Sequence, residues 1–106
     1  MNNIILELSE VIKQRKNSSE KESYTASLLS SGLGKCAEKF GEEAIELIIA
    51  TLSKNSKEFN SEAADVLFHL LILIEAKNSS LEDVLEILNK RKGTSGLLEK
   101  ALRNKN

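Results

Sequence analysis

The amino-acid sequence predicts an all-α domain in which four to five helices pack as a bundle. Three observations favour this class: the chain contains no proline, its apolar residues recur every three or four positions in several stretches, and no stretch alternates polar and apolar residues as a strand does. A chain of 106 residues is long enough to bury one modest core. We therefore expect residues 1–106 to form a single domain.

The first part of the chain predicts one long helix, one loop and one short helix. The spacing of apolar residues predicts a helix over 3–16, followed by a polar loop over 17–23. Tyr24–Ser30 is compatible with a short helix, after which Gly32 and Gly34 supply backbone permissive enough to turn. The apolar stripe of the first helix consists of Ile4, Ile5, Leu8, Val11 and Ile12.

Two longer helices are expected in the middle of the chain, over 35–52 and 56–76. Beyond Val66 the second of these is apolar nearly all round, which indicates a helix surrounded by protein. Either the other helices cover it completely or a second subunit covers part of it, and we expect a homodimer or a higher homo-oligomer. The inward face of the first middle helix is predicted to contain Cys36, Phe40, Ala44, Leu47, Ile48 and Thr51.

The last predicted helix follows a serine pair that offers two alternative N-caps. Ser79 with Glu82 has the spacing of a capping box, and Ser80 with Asp83 offers a similar cap one residue later. A Gly-Thr-Ser-Gly turn at 93–96 leads into 97–106, which we expect to be a flexible tail. The inner face of this helix is predicted to contain Leu81, Val84, Leu85 and Leu88.

Composition argues against several classes of partner. The formal net charge of -1 gives no general attraction to nucleic acid or to an anionic membrane, so neither is expected as a partner. The longest apolar run, 66–74, is well short of the roughly 20 residues that span a bilayer. The first ten residues lack the pattern of a signal peptide, and a single cysteine fits a reducing compartment, so a cytoplasmic protein is expected.

Charged side chains recur along one face of each middle helix. Along the first they are Lys35, Lys39, Glu42 and Glu46, and along the second they are Glu58, Glu62, Asp65 and His69. Both sets step by four, three and four residues, so each set shares one helix face. Such a face is often simply solvated. The second set, however, leads into a very apolar stretch, where buried carboxylates would need a partner such as a cation.

Two carboxylate pairs are spaced to share a metal ion. Glu43 with Glu46 and Glu62 with Asp65 are both i, i+3 pairs, which would face each other across two antiparallel helices. Ligands that are all oxygen favour hard cations, so we expect Mg²⁺, with Mn²⁺ as a substitute. A di-iron bundle would use Glu-x-x-His pairs, which the chain lacks.

Two further residues have alternative interpretations, and a third has one. Lys39 can pair with Glu43 or contact a phosphate group. His69 is either a hydrogen-bonded core histidine or a residue that supports a metal ligand from behind. Cys36 lies on the apolar stripe and is expected in the core.

Several motifs resemble one known family. EEAIE at 42–46, followed after fifteen residues by EAAD at 62–65, resembles the carboxylate signature of the all-alpha NTP pyrophosphatase superfamily. Within it, the chain resembles the phosphoribosyl-ATP pyrophosphohydrolase family over nearly its whole length. The motifs that narrow the resemblance are SYT at 23–25, GL at 32–33, Lys35, KFGEE at 39–43, EAADVLFHL at 62–70 and GTSG at 93–96.

The resemblance implies a dimeric, magnesium-dependent enzyme. Its reaction would be hydrolysis of phosphoribosyl-ATP to phosphoribosyl-AMP and pyrophosphate, the second step of histidine biosynthesis. The implied metal ligands are Glu43, Glu46, Glu62 and Asp65. The candidates for the catalytic proton acceptor are Glu42, Glu43 and Glu46, and the sequence does not choose among them. The candidates for substrate binding are Lys35, Lys39, Tyr24 and Thr25.

Two other functions are compatible with parts of this pattern. A related helical pyrophosphatase that removes noncanonical nucleoside triphosphates would share the metal site. A non-enzymatic helical dimerisation module would use the same apolar faces and leave the carboxylates as a solvated surface.

Overall fold

The computed structural model describes residues 3–92, and every regular element within them is an α-helix. The helices are α1 (Ile4–Arg15), α2 (Tyr24–Ser30), α3 (Leu33–Thr51), α4 (Ser56–Ala76) and α5 (Leu81–Arg91). The predicted all-α class is thus confirmed, and the bounds of α2 and α4 agree with the predicted ones. The turn at 93–96 and the tail at 97–106 lie outside the described residues.

Local capping explains where α2 and α4 begin. The Ser23 hydroxyl accepts a hydrogen bond from the backbone N–H of Ala26 at 3.1 Å. Asn55 Oδ1 accepts from the N–H groups of Lys57 and Glu58, at 3.0 and 3.4 Å. Each cap satisfies donors that the first helical turn leaves without a partner, so the sequence starts these helices at defined residues.

The structure chooses between the two alternative caps of α5. Ser80 has extended backbone angles, and its hydroxyl accepts from the Asp83 N–H at 3.1 Å. The helix therefore begins after Ser80, and the capping box of Ser79 with Glu82 is not formed.

The turn into α3 is tighter than the sequence suggested. Gly32 alone provides the turn, with φ of +99°, a conformation that side chains disfavour. Gly34 is already helical, so α3 begins at Leu33, two residues before the predicted start. One residue with positive φ is enough to reverse the chain, and the second glycine is free to join the helix.

The core draws on all five helices. The buried apolar residues of the core cluster are Ile12, Leu28, Cys36, Leu71, Ile72 and Leu81. The prediction that Cys36 belongs to the core is confirmed. The main helix pair is α3 with α4, and the short connection over 52–55 makes it an antiparallel hairpin. This hairpin positions the acidic residues discussed below.

Several faces predicted to be buried are open in the single chain. Ile4 and Val11 on α1, Ile48 on α3 and Leu88 on α5 are exposed, and Thr51 is exposed as well. The long helix α4 also remains uncovered at Leu67, which is 51% exposed. Helices of one chain, as far as residues 3–92 show, do not wrap α4. None of the helices in this range is long and apolar enough to cross a membrane.

Candidate metal centre

Three carboxylates from the α3–α4 hairpin converge on one point. Glu43 from α3 and Glu62 and Asp65 from α4 each offer an oxygen atom, and these three atoms lie within 4.8 Å of one another. The acidic faces of the two helices therefore lie opposite each other, as the i, i+3 spacing predicted. Three convergent carboxylate oxygens are a ligand set that a single divalent cation can bind.

Burial differs strongly among the three residues. Glu43 is only 8% exposed, although its neighbours on α3 are largely solvated. Glu62 is partly buried, and its Oε2 atom is shielded from solvent without any hydrogen-bond partner. Asp65 is exposed, which corrects the expectation that it would be buried with Glu62. It lies toward the open side of the group.

The electrostatic environment of Glu62 is unfavourable for its charge. Burial raises the pKa of the Glu62 carboxyl above its ordinary value, and the nearby negative charges of Glu46, Asp65 and Glu43 raise it further. A buried carboxylate oxygen that lacks a donor is costly for a folded protein. A bound cation would supply the missing partner and offset the repulsion, so the residues present fit a hard divalent ion.

The other two acidic candidates on α3 lie beside this group. Glu46 is exposed and is not one of the three convergent residues, but its charge is close enough to raise the pKa of Glu62. Glu42 points to Lys39 instead, with 3.4 Å between Glu42 Oε2 and Lys39 Nζ. The predicted roles of Glu42 and Glu46 stay predictions.

The two candidate lysines have different surroundings. Lys39 Nζ also lies 3.7 Å from Glu43 Oε1, so it touches the edge of the acidic group. The pKa of Lys39 is raised, first by Tyr24 and then by its hydrogen bond to Glu42. Lys35 pairs with Glu38 at 3.5 Å, and both side chains are exposed. Lys39 is therefore the better placed of the two to meet an anion at the metal centre.

His69 connects Tyr24 to the backbone of Asp65. Its Nδ1 lies 2.8 Å from the Asp65 carbonyl oxygen, and its Nε2 lies 3.0 Å from Tyr24 Oη. A carbonyl can only accept, so Nδ1 carries a hydrogen, and in the neutral imidazole Nε2 accepts from the tyrosine hydroxyl. His69 is buried and hydrogen-bonded through both ring nitrogens, as one of its two interpretations expected.

Sequence reasoning missed the Tyr24 to His69 bond. The i, i+4 spacing of Asp65 and His69 was visible, but Tyr24 is 45 residues away and only the fold brings it close. Thr25, the neighbour of Tyr24 on α2, is buried. The predicted contacts of Tyr24 and Thr25 with a substrate stay predictions.

The fold and this site together define a class: all-α domains whose central helical hairpin carries a cluster of three carboxylates able to hold a divalent cation. Comparison with known proteins is more specific. The family model for phosphoribosyl-ATP pyrophosphohydrolase matches residues 5–92. The chain belongs to this family.

Named relatives agree with the family match over nearly the whole chain. A phosphoribosyl-ATP pyrophosphatase from Ruegeria sp. (strain TM1040) is 48% identical over 102 residues, which cover 96% of this chain and 97% of the relative. The one from Jannaschia sp. (strain CCS1) is 50% identical over 97 residues, 92% and 95% of the two chains. The one from Rhodobacter capsulatus is 47% identical over 96 residues, 91% and 93% of the two chains. The resemblance inferred from the motifs is thus confirmed.

Proposed function

We propose that this chain hydrolyses phosphoribosyl-ATP to phosphoribosyl-AMP and pyrophosphate with the help of Mg²⁺, the second step of histidine biosynthesis. The family and its named relatives support the substrate and the reaction. The single structural observation that carries the proposal is the shielded Glu62 oxygen, which lacks a hydrogen-bond partner and lies within a group of three carboxylates. A dimerisation module has no need of such a group, because it adds repulsion to the fold.

The proposed metal ligands are Glu43, Glu62 and Asp65. Glu46, which the sequence predicts as a fourth ligand, lies beside these three and is proposed for a different role below. Bound Mg²⁺ would offset the negative charge of the triphosphate group and of the departing pyrophosphate. The ligands hold their oxygens in place from two packed helices, which keeps the acidic group assembled before substrate arrives. The exposed position of Asp65 leaves the group open on one side, where a phosphate chain can approach.

The remaining residues act on the phosphate chain and on water. Lys39 binds a phosphate oxygen from the edge of the acidic group, and Lys35 lies one helical turn further away. Water attacks phosphorus at the α–β linkage, the phosphoanhydride P–O bond breaks, and one carboxylate accepts the proton that the water releases. Glu46 is the candidate that we favour for this role, because it borders the three convergent residues without being one of them. Glu42 is already paired with Lys39.

Replacement of one ligand tests the proposal. Glu62→Gln keeps the shape of the side chain and removes its charge, so the fold should be retained while turnover of phosphoribosyl-ATP with Mg²⁺ falls at least about a hundredfold. Glu86→Gln, on α5, is the matched control and should keep full activity. Circular dichroism checks the fold of both variants. Unchanged turnover in Glu62→Gln would contradict the ligand assignment.

A panel of nucleoside triphosphates tests the substrate. We expect the wild-type protein to hydrolyse phosphoribosyl-ATP and to leave ordinary and noncanonical nucleoside triphosphates largely intact. Hydrolysis of the nucleoside triphosphates alone would replace the histidine-pathway assignment with that of a house-cleaning pyrophosphatase. Absence of any phosphohydrolase activity would favour the dimerisation module.

We also propose that the protein is a homodimer in the cytoplasm. Its location follows from the biosynthetic role of the family. Support for the dimer comes from an apolar stripe on the outer side of α3, where four large side chains are between 59% and 86% exposed. This α3 stripe consists of Ile45, Ile48, Ile49 and Leu52. Their spacing of three, one and three residues places them on one helix face, and apolar surface of this kind favours association.

A further inference from the structure

One chain of hydrogen bonds links the short helix α2 to α4 beside the candidate metal centre. Tyr24 is the first residue of α2, and its hydroxyl meets His69, which in turn meets the backbone carbonyl of Asp65. The ring of His69 also packs in T-shaped geometry against the rings of Tyr24 and Phe68, with centroid distances of 5.9 and 5.5 Å. These contacts determine both the orientation of the imidazole and the place of the phenol ring.

The direction of these hydrogen bonds limits what Tyr24 can offer to a ligand. In the neutral imidazole tautomer whose Nδ1–H is donated to the Asp65 carbonyl, Nε2 accepts the phenol hydrogen, and the Tyr24 oxygen then presents only lone pairs to its surroundings. The residue is 53% exposed as a whole, and its hydrogen bond to His69 is partly buried. Burial raises the pKa of the Tyr24 phenol, while the nearby charge of Lys39 lowers it and that of Glu43 raises it, so Tyr24 lies at the edge of the three convergent carboxylates.

The chemistry of the substrate determines which of its groups a hydrogen-bond acceptor such as the Tyr24 oxygen can recognise. Ionised phosphate oxygens are acceptors themselves and gain nothing from a phenol oxygen that has used its hydrogen. The ribose hydroxyls that flank a phosphate chain are donors. A bound phosphoribosyl nucleotide therefore brings a suitable donor close to its phosphates.

We propose that His69 is a positioning residue, which holds Tyr24 so that its phenol oxygen accepts a hydrogen bond from a ribose hydroxyl of the substrate. This inference rests on the proposed function and adds to it the group that Tyr24 recognises and the residue through which it is oriented. The bond also supplies a partner for Nε2 of the buried His69, so it couples the place of the phenol oxygen to the orientation of the imidazole.

Steady-state kinetics on four variants test this role. Tyr24→Phe removes the phenol oxygen, and His69→Leu removes the group that orients it. Each change should raise KM for phosphoribosyl-ATP by roughly three- to tenfold, the effect of one lost hydrogen bond, with a smaller change in kcat. The double variant should be no worse than either single one, since both changes remove the same interaction. His69→Gln, whose amide oxygen can accept from Tyr24, should stay close to wild type.

Two measurements separate positioning from a merely structural role. Mn²⁺ affinity without substrate should be unchanged in Tyr24→Phe, and Thr51→Val, which removes a 2.7 Å hydrogen bond to Leu47 elsewhere on α3, should leave KM unchanged. An unaltered KM in Tyr24→Phe overturns the inference, and so does a fully additive double variant. If His69→Leu fails to fold, Tyr24→Phe and His69→Gln still decide. If the wild-type protein leaves phosphoribosyl-ATP intact, the proposed function is overturned as well. If the wild-type protein turns it over normally and Tyr24→Phe has an unaltered KM, only this inference is overturned.

Discussion

Lys39 Nζ lies 3.7 Å from Oε1 of Glu43, the most buried of the candidate metal ligands. The same ammonium group lies 3.4 Å from Glu42 Oε2, so Lys39 forms ion pairs with two carboxylates of its own helix. This arrangement places a positive charge at the edge of an otherwise negative site. A phosphate chain that approaches the site would meet this charge directly.

The first prediction concerns Lys39. In Lys39→Met the aliphatic length is kept and the charge is lost, so KM for phosphoribosyl-ATP should rise roughly tenfold or more, as expected for a hydrogen bond to a charged group. Lys39→Arg should retain much of the affinity, since it keeps the charge. Steady-state kinetics measure both.

Other lysines provide the comparison for Lys39. Lys35→Met should raise KM less, because Lys35 pairs with Glu38 away from the acidic group. Lys57→Met, near the start of α4, is the control for the loss of one positive charge. Equal effects of all three substitutions would show that only general electrostatic attraction is involved.

The second prediction separates metal binding from proton transfer. We expect Glu43→Gln and Asp65→Asn to weaken Mn²⁺ binding at least about tenfold, because each removes a ligand. Glu46→Gln should weaken it much less and should lower kcat by roughly 10² to 10⁴, the range of a lost general base. Isothermal titration calorimetry without substrate measures the first effect, and turnover at saturating Mg²⁺ measures the second.

The control for these variants is again Glu86→Gln, whose Mn²⁺ affinity should match that of wild type. If Glu46→Gln weakens Mn²⁺ binding as strongly as Glu43→Gln does, then Glu46 is a fourth ligand and the proton acceptor must be sought elsewhere. Glu42 would then be the next residue to test.

The third prediction concerns the proposed homodimer. Ile48→Glu places a charge in the middle of the α3 stripe and should shift the protein from dimer to monomer, because an unpaired charge is costly at a buried contact. Sedimentation velocity or light scattering after gel filtration measures the change.

A second apolar surface offers the comparison. An open apolar groove of about 160 Å³ lies between α1, α4 and α5, and Leu88 is one of its lining residues. Leu88→Glu should leave the dimer intact if the α3 stripe is the contact. If Leu88→Glu dissociates the dimer and Ile48→Glu does not, the dimer interface lies at the groove. A monomeric wild-type protein would contradict the proposed dimer.

The fourth prediction concerns the cap of α5. Ser80→Ala removes the acceptor for the Asp83 N–H and should lower the free energy of unfolding by about 0.5 to 2 kcal/mol. Ser79→Ala should change it by less than about 0.5 kcal/mol, since Ser79 does not cap the helix. Urea denaturation followed by circular dichroism compares the two. The reverse order of effects would support the capping box of Ser79 with Glu82.

Much of the fold could be predicted because its signals are local. The bounds of α4 follow from an Asn55 cap and a long apolar repeat, and those of α2 follow from a Ser23 cap and the glycine after it. Such signals act within a few residues along the chain and need no tertiary contact. Even there, Gly34 lies inside α3 and not in the turn before it, because a helix start depends on how the preceding turn is completed in space.

Local spacing also predicted that Glu43, Glu46, Glu62 and Asp65 would meet across an antiparallel hairpin, and three of these four carboxylates converge in the structure. The chain by itself therefore determined its helices, its family and the acidic character of its site. Tertiary structure decided that Glu43 is buried and Asp65 exposed, that Glu46 lies beside the group, and that Tyr24 reaches His69. Those outcomes depend on the angle and depth at which two helices pack. The spacing of residues along a single helix contains no information about that angle or depth.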